Sequence, residues 1–269
     1  MAIDTATSQP VRAAQSADWA LSRGVGSLTT PELASMLGVP ESQVSQRLFV
    51  PKQRGEWIAP GRGLWVPVPP EFRGWGGPPA SEFLAALMSH LEVSYYIGWL
   101  AAAAVHGAAH QAPQVTHVAV SRLVRDRRIG RADLRFHIRG SIDALPTVMR
   151  MARSGPLTVS SPEVTALDLA SDLVLAGGLN NATTVITDLV DEAGLDDSVL
   201  ADLAPSFGDA AIRRTGWIIE TYTTQRLERL AEYVKQGSAN AARLHPGYPL
   251  SGCLNERWRL RLNTAVEMD

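Results

Sequence analysis

Between Thr29 and Leu48 apolar residues recur at the spacing of a helix face, break off, and recur again. Leu33 and Leu37 stand four apart, Gly38 follows, and Val44 and Leu48 repeat the interval. Recurrence at i, i+4 marks the buried stripe of an amphipathic helix, so this stretch predicts two short helices joined at Gly38. The polar residues agree. Thr29 or Thr30 supplies an N-cap, Pro31 presets the first turn, and Glu32 favours the positive end of the helix dipole. Gly38 accepts the left-handed conformation that a tight stop needs, and Pro40-Glu41 opens the second helix. An earlier helical pattern runs from Val11 to Arg23 and closes at Gly24. After the second helix, WIAPGRGLWV (57–66) places two strand-like runs around Pro60-Gly61-Arg62-Gly63, a hairpin signal.

A Pro/Gly-rich stretch, PVPPEFRGWGGPP (67–79), then marks a boundary. Beyond it the pattern predicts helices over 81–90, 95–108, 162–176, 180–193, 197–204 and 209–221. Strands are expected over 115–121 and 133–139 and near 157–160. The expected fold is therefore α+β: a winged helix-turn-helix domain over 1–78, then a larger, helix-rich mixed α/β domain over 79–269.

The first domain meets three steric demands of a helix-turn-helix. Ala34 is small where the helices cross, Gly38 tolerates the turn, and Val44 is an inward aliphatic that sets the angle between them. With Val44 and Leu48 inward, Ser42, Gln43, Ser45, Gln46 and Arg47 form an outward polar edge able to bond base edges or phosphates in a major groove. Lys52 and Arg54 would touch the DNA backbone, and Arg62 at the hairpin tip would reach phosphate or the minor groove. Pro51 is expected to end or kink the second helix. A winged helix that binds protein is the plain alternative.

Composition bounds the rest. The 269 residues are 45% hydrophobic and 19% charged, with a formal net charge of −2, which fits a globular chain with a sizeable core. One cysteine, Cys253, allows no internal disulfide, and neither a secretory leader nor a membrane-length apolar run is recognisable, so a cytoplasmic location is expected. The charge is uneven. Seven arginines lie between Arg122 and Arg139 against Asp126 and Asp133, whereas Glu163 to Asp209 holds ten acidic residues and no Lys or Arg. Within the first cluster Arg125, Arg127, Arg128 and Arg131 are candidates to extend a DNA footprint by neutralising phosphates; a protein partner or a tRNA-like molecule would suit the same strip. The acidic stretch is expected to be a solvated surface.

Enzyme chemistry finds little support. His106 and His110 stand one helical turn apart, but no acidic residue lies between Glu92 and Asp126, and Gly107 occupies the place where a metalloprotease pattern puts glutamate. The run before His106 is apolar on nearly every side, so His106 reads as a hydrogen-bonded packing residue or cap, and His117 and His137 as core-strand histidines. No phosphate-cradling glycine loop is present, no motif marks Cys253 as a nucleophile, and Lys235 alone follows Lys52. No catalytic residue, metal or cofactor is expected.

The segment YYIGWLAAAAVHGAAHQAPQVTHVAVS, the basic hairpin after it, then VSSPEVTALDLA, GGLNNATTVITDLVDEAG and RWRLRLN together resemble the AbiEi family of abortive-infection antitoxins. So does the RGLWV ending of the winged helix. The most specific pieces are Tyr96-Ile97-Gly98, His106-Gly107, His110-Gln111, Pro113-Gln114 and Ser161-Pro162-Glu163 with Thr165, Leu167 and Asp168. That resemblance implies an antitoxin that binds repeats of double-stranded DNA in its own promoter, represses the operon, and counteracts a nucleotidyltransferase-like toxin. Neutralisation in that family is indirect, which leaves direct contact with the toxin open. The residues themselves also admit a ligand-responsive winged-helix regulator without a toxin partner, and, more remotely, a nuclease or nucleotide-handling enzyme.

Overall fold

The computed structural model describes residues 9–109, 113–152 and 155–267. The N-terminal part comprises α1 (Ser16–Ser22), β1 (Leu28–Thr29), α2 (Thr30–Leu37), α3 (Glu41–Arg47), α4 (Phe49–Gln53), and the hairpin of β2 (Trp57–Gly61) and β3 (Leu64–Pro67). Local chemistry accounts for its boundaries. The Glu32 carboxylate accepts the Thr29 N–H at 2.6 Å and the Thr29 hydroxyl at 2.8 Å, which anchors the start of α2. Gly38 ends α2 at φ 64°, and a β-carbon there would sit 2.8 Å from the Pro10 ring, so conformation and space both require glycine. Leu33, Leu37, Val44 and Leu48 are buried with Ala17, Ala20, Trp57 and Trp65 in one small core.

The second helix is kinked ahead of Pro51, as expected. The rod bends at Leu48, whose N–H reaches the Val44 carbonyl, and it resumes as α4 with the Lys52 N–H on the Leu48 carbonyl. Pro51 thereby falls in the first turn of α4, where its missing N–H costs nothing.

The short α5 (Pro70–Arg73) leads to α6 (Leu84–Leu91), β4 (Tyr95–Ile97), α7 (Trp99–Val105), β5 (Val115–Val120), β6 (Arg127–Ile129), β7 (Ala132–Ile138), β8 (Thr147–Ala152) and β9 (Gly155–Ser160). These strands form one mixed sheet in the order β6-β7-β5-β4-β9-β8, with β5 parallel to β7 and β4 parallel to β9. The helix expected over 95–108 is thus divided. Tyr95, Tyr96 and Ile97 pair with Val120, Ala119 and Val118, and the helix starts only after Gly98. An aromatic and β-branched triplet beside an open sheet position gains more as a strand than as a first helical turn.

Helices α8 (Pro162–Ser171), α9 (Leu179–Ala193), α10 (Asp197–Leu203), α11 (Asp209–Tyr222) and α12 (Glu228–Gln236) pack with α7 into the largest core cluster. A final small sheet of β10 (Ala242–Arg243), β11 (Cys253–Asn255) and β12 (Leu260–Leu262) lies against α11. Two features tie it down. Trp258 closes over Gly216, where any β-carbon would lie 2.1 Å from the ring. The buried Arg214 guanidinium donates to the carbonyls of Ala170, Arg243 and Leu244. Among the described residues no helix is long and apolar enough to cross a membrane.

The β2–β3 hairpin packs into the same core as the sheet that follows it. Ile58, Leu64, Val66 and Val68 share a core with Leu87, Val118, Val120, Leu134 and Val159. Removing the residues after 79 would therefore bare the inner face of the hairpin.

Candidate nucleic-acid interface

Each residue assigned to the polar edge of α3 is exposed: Ser42, Gln43, Ser45, Gln46 and Arg47. Val44 and Leu48 beneath them are fully buried, so the edge stands on a rigid base. Lys52 and Arg54 on and after α4, and Arg62 at the wing tip, are exposed as well. The wing's backbone is held from behind: the His90 imidazole donates from Nε2 to the Arg62 carbonyl at 2.8 Å, leaving the Arg62 side chain in solvent.

The arginine cluster divides by partner. Arg125 and Arg128 are exposed, with no side-chain partner among the described residues, and Arg131 stacks its guanidinium 5.0 Å from the Trp75 ring centroid while remaining exposed. Arg127 is half-buried and donates to the Pro60 carbonyl, so it braces the wing; its desolvation lowers its pKa. Arg122 donates to the Leu91 carbonyl, and Arg135 is paired with Asp126 and Asp133. Arg139 points inward to Asp168. The cationic surface is thus narrower than the seven arginines suggest.

That last pair belongs to a buried polar centre. Asp168 lies at 0% exposure in the acidic stretch expected to be solvated. One carboxylate oxygen accepts from Arg139 at 2.9 Å and the other from the Tyr96 hydroxyl at 3.0 Å. Burial pushes the Asp168 pKa up to about 7, an effect that Arg139 and Tyr96 only partly offset. A β-carbon on Gly98 would sit 3.0 Å from that carboxylate, which accounts for the glycine beside Tyr96 and Ile97. Ser161 caps α8 by accepting the Val164 N–H. His106 donates from Nε2 to the Ser160 carbonyl at 2.8 Å, the packing role its position implied, and burial holds its pKa below the usual histidine value. His110 and Gln111 lie outside the described residues.

The structure also joins two histidines that the sequence left apart. His117 Nδ1 and His137 Nε2 are 2.9 Å from each other on the parallel strands β5 and β7, and Trp99 packs against both rings. Strand membership could have been read from sequence; their register could not. Among the described residues no group of three or more His, Cys, Asp or Glu is placed to hold a metal.

Residues 96–221 match the family model described as the AbiEi antitoxin C-terminal domain. That segment, a little under half of the chain, is similar to an AbiEi antitoxin domain. It spans β4 to α11 and contains the Tyr96–Arg139–Asp168 centre; the polar edge of α3 and the wing lie outside it. The AbiEi-like domain supports an antitoxin role for the protein. Among solved structures, the RV2827C protein from Mycobacterium tuberculosis matches with a TM-score of 0.66 at 14% identity, over 95% of this chain and 92% of that one. At that identity the likeness is one of fold, and it extends across the N-terminal helices and hairpin as well as the segment matched by the family model. A comparison with curated proteins gave no match.

Proposed function

We propose that this protein is a DNA-binding antitoxin that represses its own toxin–antitoxin operon and counteracts a nucleotidyltransferase-like toxin. One observation carries the DNA-binding part: α3 turns Ser42, Gln43, Ser45, Gln46 and Arg47 to solvent on a buried Val44–Leu48 base, with Lys52, Arg54 and Arg62 beside them. An edge of hydroxyls, amides and cations on a supported helix suits the major groove, and its flanking cations suit phosphates. The AbiEi-like domain fused to it supports the antitoxin part. Operator repeats and the toxin are the partners this reading requires.

The test is binding of the intact protein to the duplex upstream of its own reading frame, against a scrambled duplex of equal length. Preference for the upstream duplex supports autorepression; equal affinity for both refutes it. Arg62→Glu should weaken binding to both duplexes and reduce the salt slope by about 1, since a wing arginine meets the backbone. Unchanged affinity would remove the wing from the interface.

The contribution of the arginine cluster is best read in the intact chain, because the β2–β3 hairpin shares its core with the sheet that follows it. Arg125→Gln combined with Arg128→Gln should lower the salt slope by about 2 if both meet phosphates. A slope equal to that of wild type would take the cluster off the DNA and leave it for the toxin.

A further inference from the structure

The helical phase of the reader continues through the bend at Leu48. Val44, Leu48 and Pro51 are buried at intervals of four and three, so the opposite side also continues, from Ser42, Ser45 and Gln46 to Phe49. Phe49 is 59% exposed and Val50 50%, and neither joins the core formed by α1 to α3. Two adjacent apolar side chains in water, in line with a polar reading edge, gain nothing within the chain. Their surroundings narrow the partner. From Ser42 to Gly55 the sequence holds Arg47, Lys52 and Arg54 and no acidic residue. The patch fits a polyanion that also presents an apolar group. Among the groups lining the major groove of duplex DNA, that group is the 5-methyl of thymine.

We propose that Phe49, with Val50 beside it, is a specificity-determining contact that reads thymine methyl groups in the major groove. This inference rests on the DNA-binding reading of α3 and extends its base-reading edge past Arg47. The bend makes the extension possible, since it lets the helix pass Pro51 while Phe49 stays in solvent. The basic side chains around the patch would carry the phosphates, leaving the phenyl ring to discriminate among bases.

The intact protein is first used to select duplexes from a random pool. Each thymine of the selected site is then replaced singly by deoxyuridine, which removes the methyl group alone. At one or two positions deoxyuridine should weaken wild-type binding about threefold to fivefold, the weight of one buried methyl. Phe49→Ala should bind the thymine duplex less well by a similar factor and no longer distinguish the two bases, while Phe49→Leu should keep part of the discrimination. Discrimination by Phe49→Ala equal to that of wild type, or no wild-type response at any thymine, overturns the proposal. So does a change of oligomeric state in Phe49→Ala with discrimination intact, which would make the patch a protein contact. If wild type selects no duplex, the DNA-binding reading itself falls, an outcome visible before any base is altered.

Discussion

Asp168→Ala is expected to lower the stability of the protein by about 3 kcal/mol above pH 8, where the carboxylate is ionised, the lower end of the range for breaking a buried ion pair. The lower end applies because Arg139 is 19% exposed and would regain some water. The Tyr96 hydroxyl would lose its acceptor, and α8 its tie to the end of β7. Chemical denaturation should show the loss as a lower midpoint at unchanged slope. A midpoint within error of wild type would mean the pair adds nothing.

The same group gives a pH signature. The folded pKa of Asp168 is raised to about 7 from an ordinary 3.8. A raised acid contributes stability that is complete below about pH 4 and is lost as pH rises towards 7, because the unfolded chain gives up the proton first. His106, His117 and His137 act in the opposite sense: burial lowers their pKa values, so folding loses stability as pH falls through the histidine range. The Asp168 component is therefore read by difference. Asp168→Asn should gain stability relative to wild type as pH rises from 4 to 7, with the gap level above 8. A gap constant across that range would show that the carboxylate is ionised throughout.

Gln43→Ala, Gln46→Ala and Arg47→Ala should each weaken binding to the preferred duplex by about 1–3 kcal/mol, roughly fivefold to a hundredfold, where the side chain meets a base edge. All three are exposed, so thermal stability should stay within about 0.5 kcal/mol of wild type. Binding to random duplex distinguishes the roles. A variant that loses affinity only for the preferred site had contacted a base; one that loses it equally on both had contacted phosphate. If none of the three changes either affinity, α3 is not the reader.

The α2–α3 unit was legible because its determinants lie within one or two helical turns. A carboxylate three residues after its cap, a glycine at a left-handed turn and aliphatics four apart act on their own neighbourhood. Pro51 was legible for the same reason: it cannot continue an unbroken helix, and the rod bends at Leu48, one turn earlier, leaving Pro51 in the first turn of α4. Tyr95–Ile97 could be helix or strand by local preference, and the pairing offered by β5 and β9 decided it. In the arginine cluster, charge counted along the chain said nothing of which guanidinium would meet a carbonyl or a carboxylate folded onto it.

From its sequence alone this chain determined where α2 caps and stops, which aliphatics of α2 and α3 turn inward, and which polar edge of α3 remains outside. Tertiary structure alone decided that Asp168 is buried against Tyr96 and Arg139, that His117 meets His137, and that the wing shares its core with the AbiEi-like domain. The division has a physical cause. Capping, turn preference and periodicity are energies between residues a few positions apart, whereas burial and ion pairing depend on distances that exist only after strands and helices have chosen their neighbours.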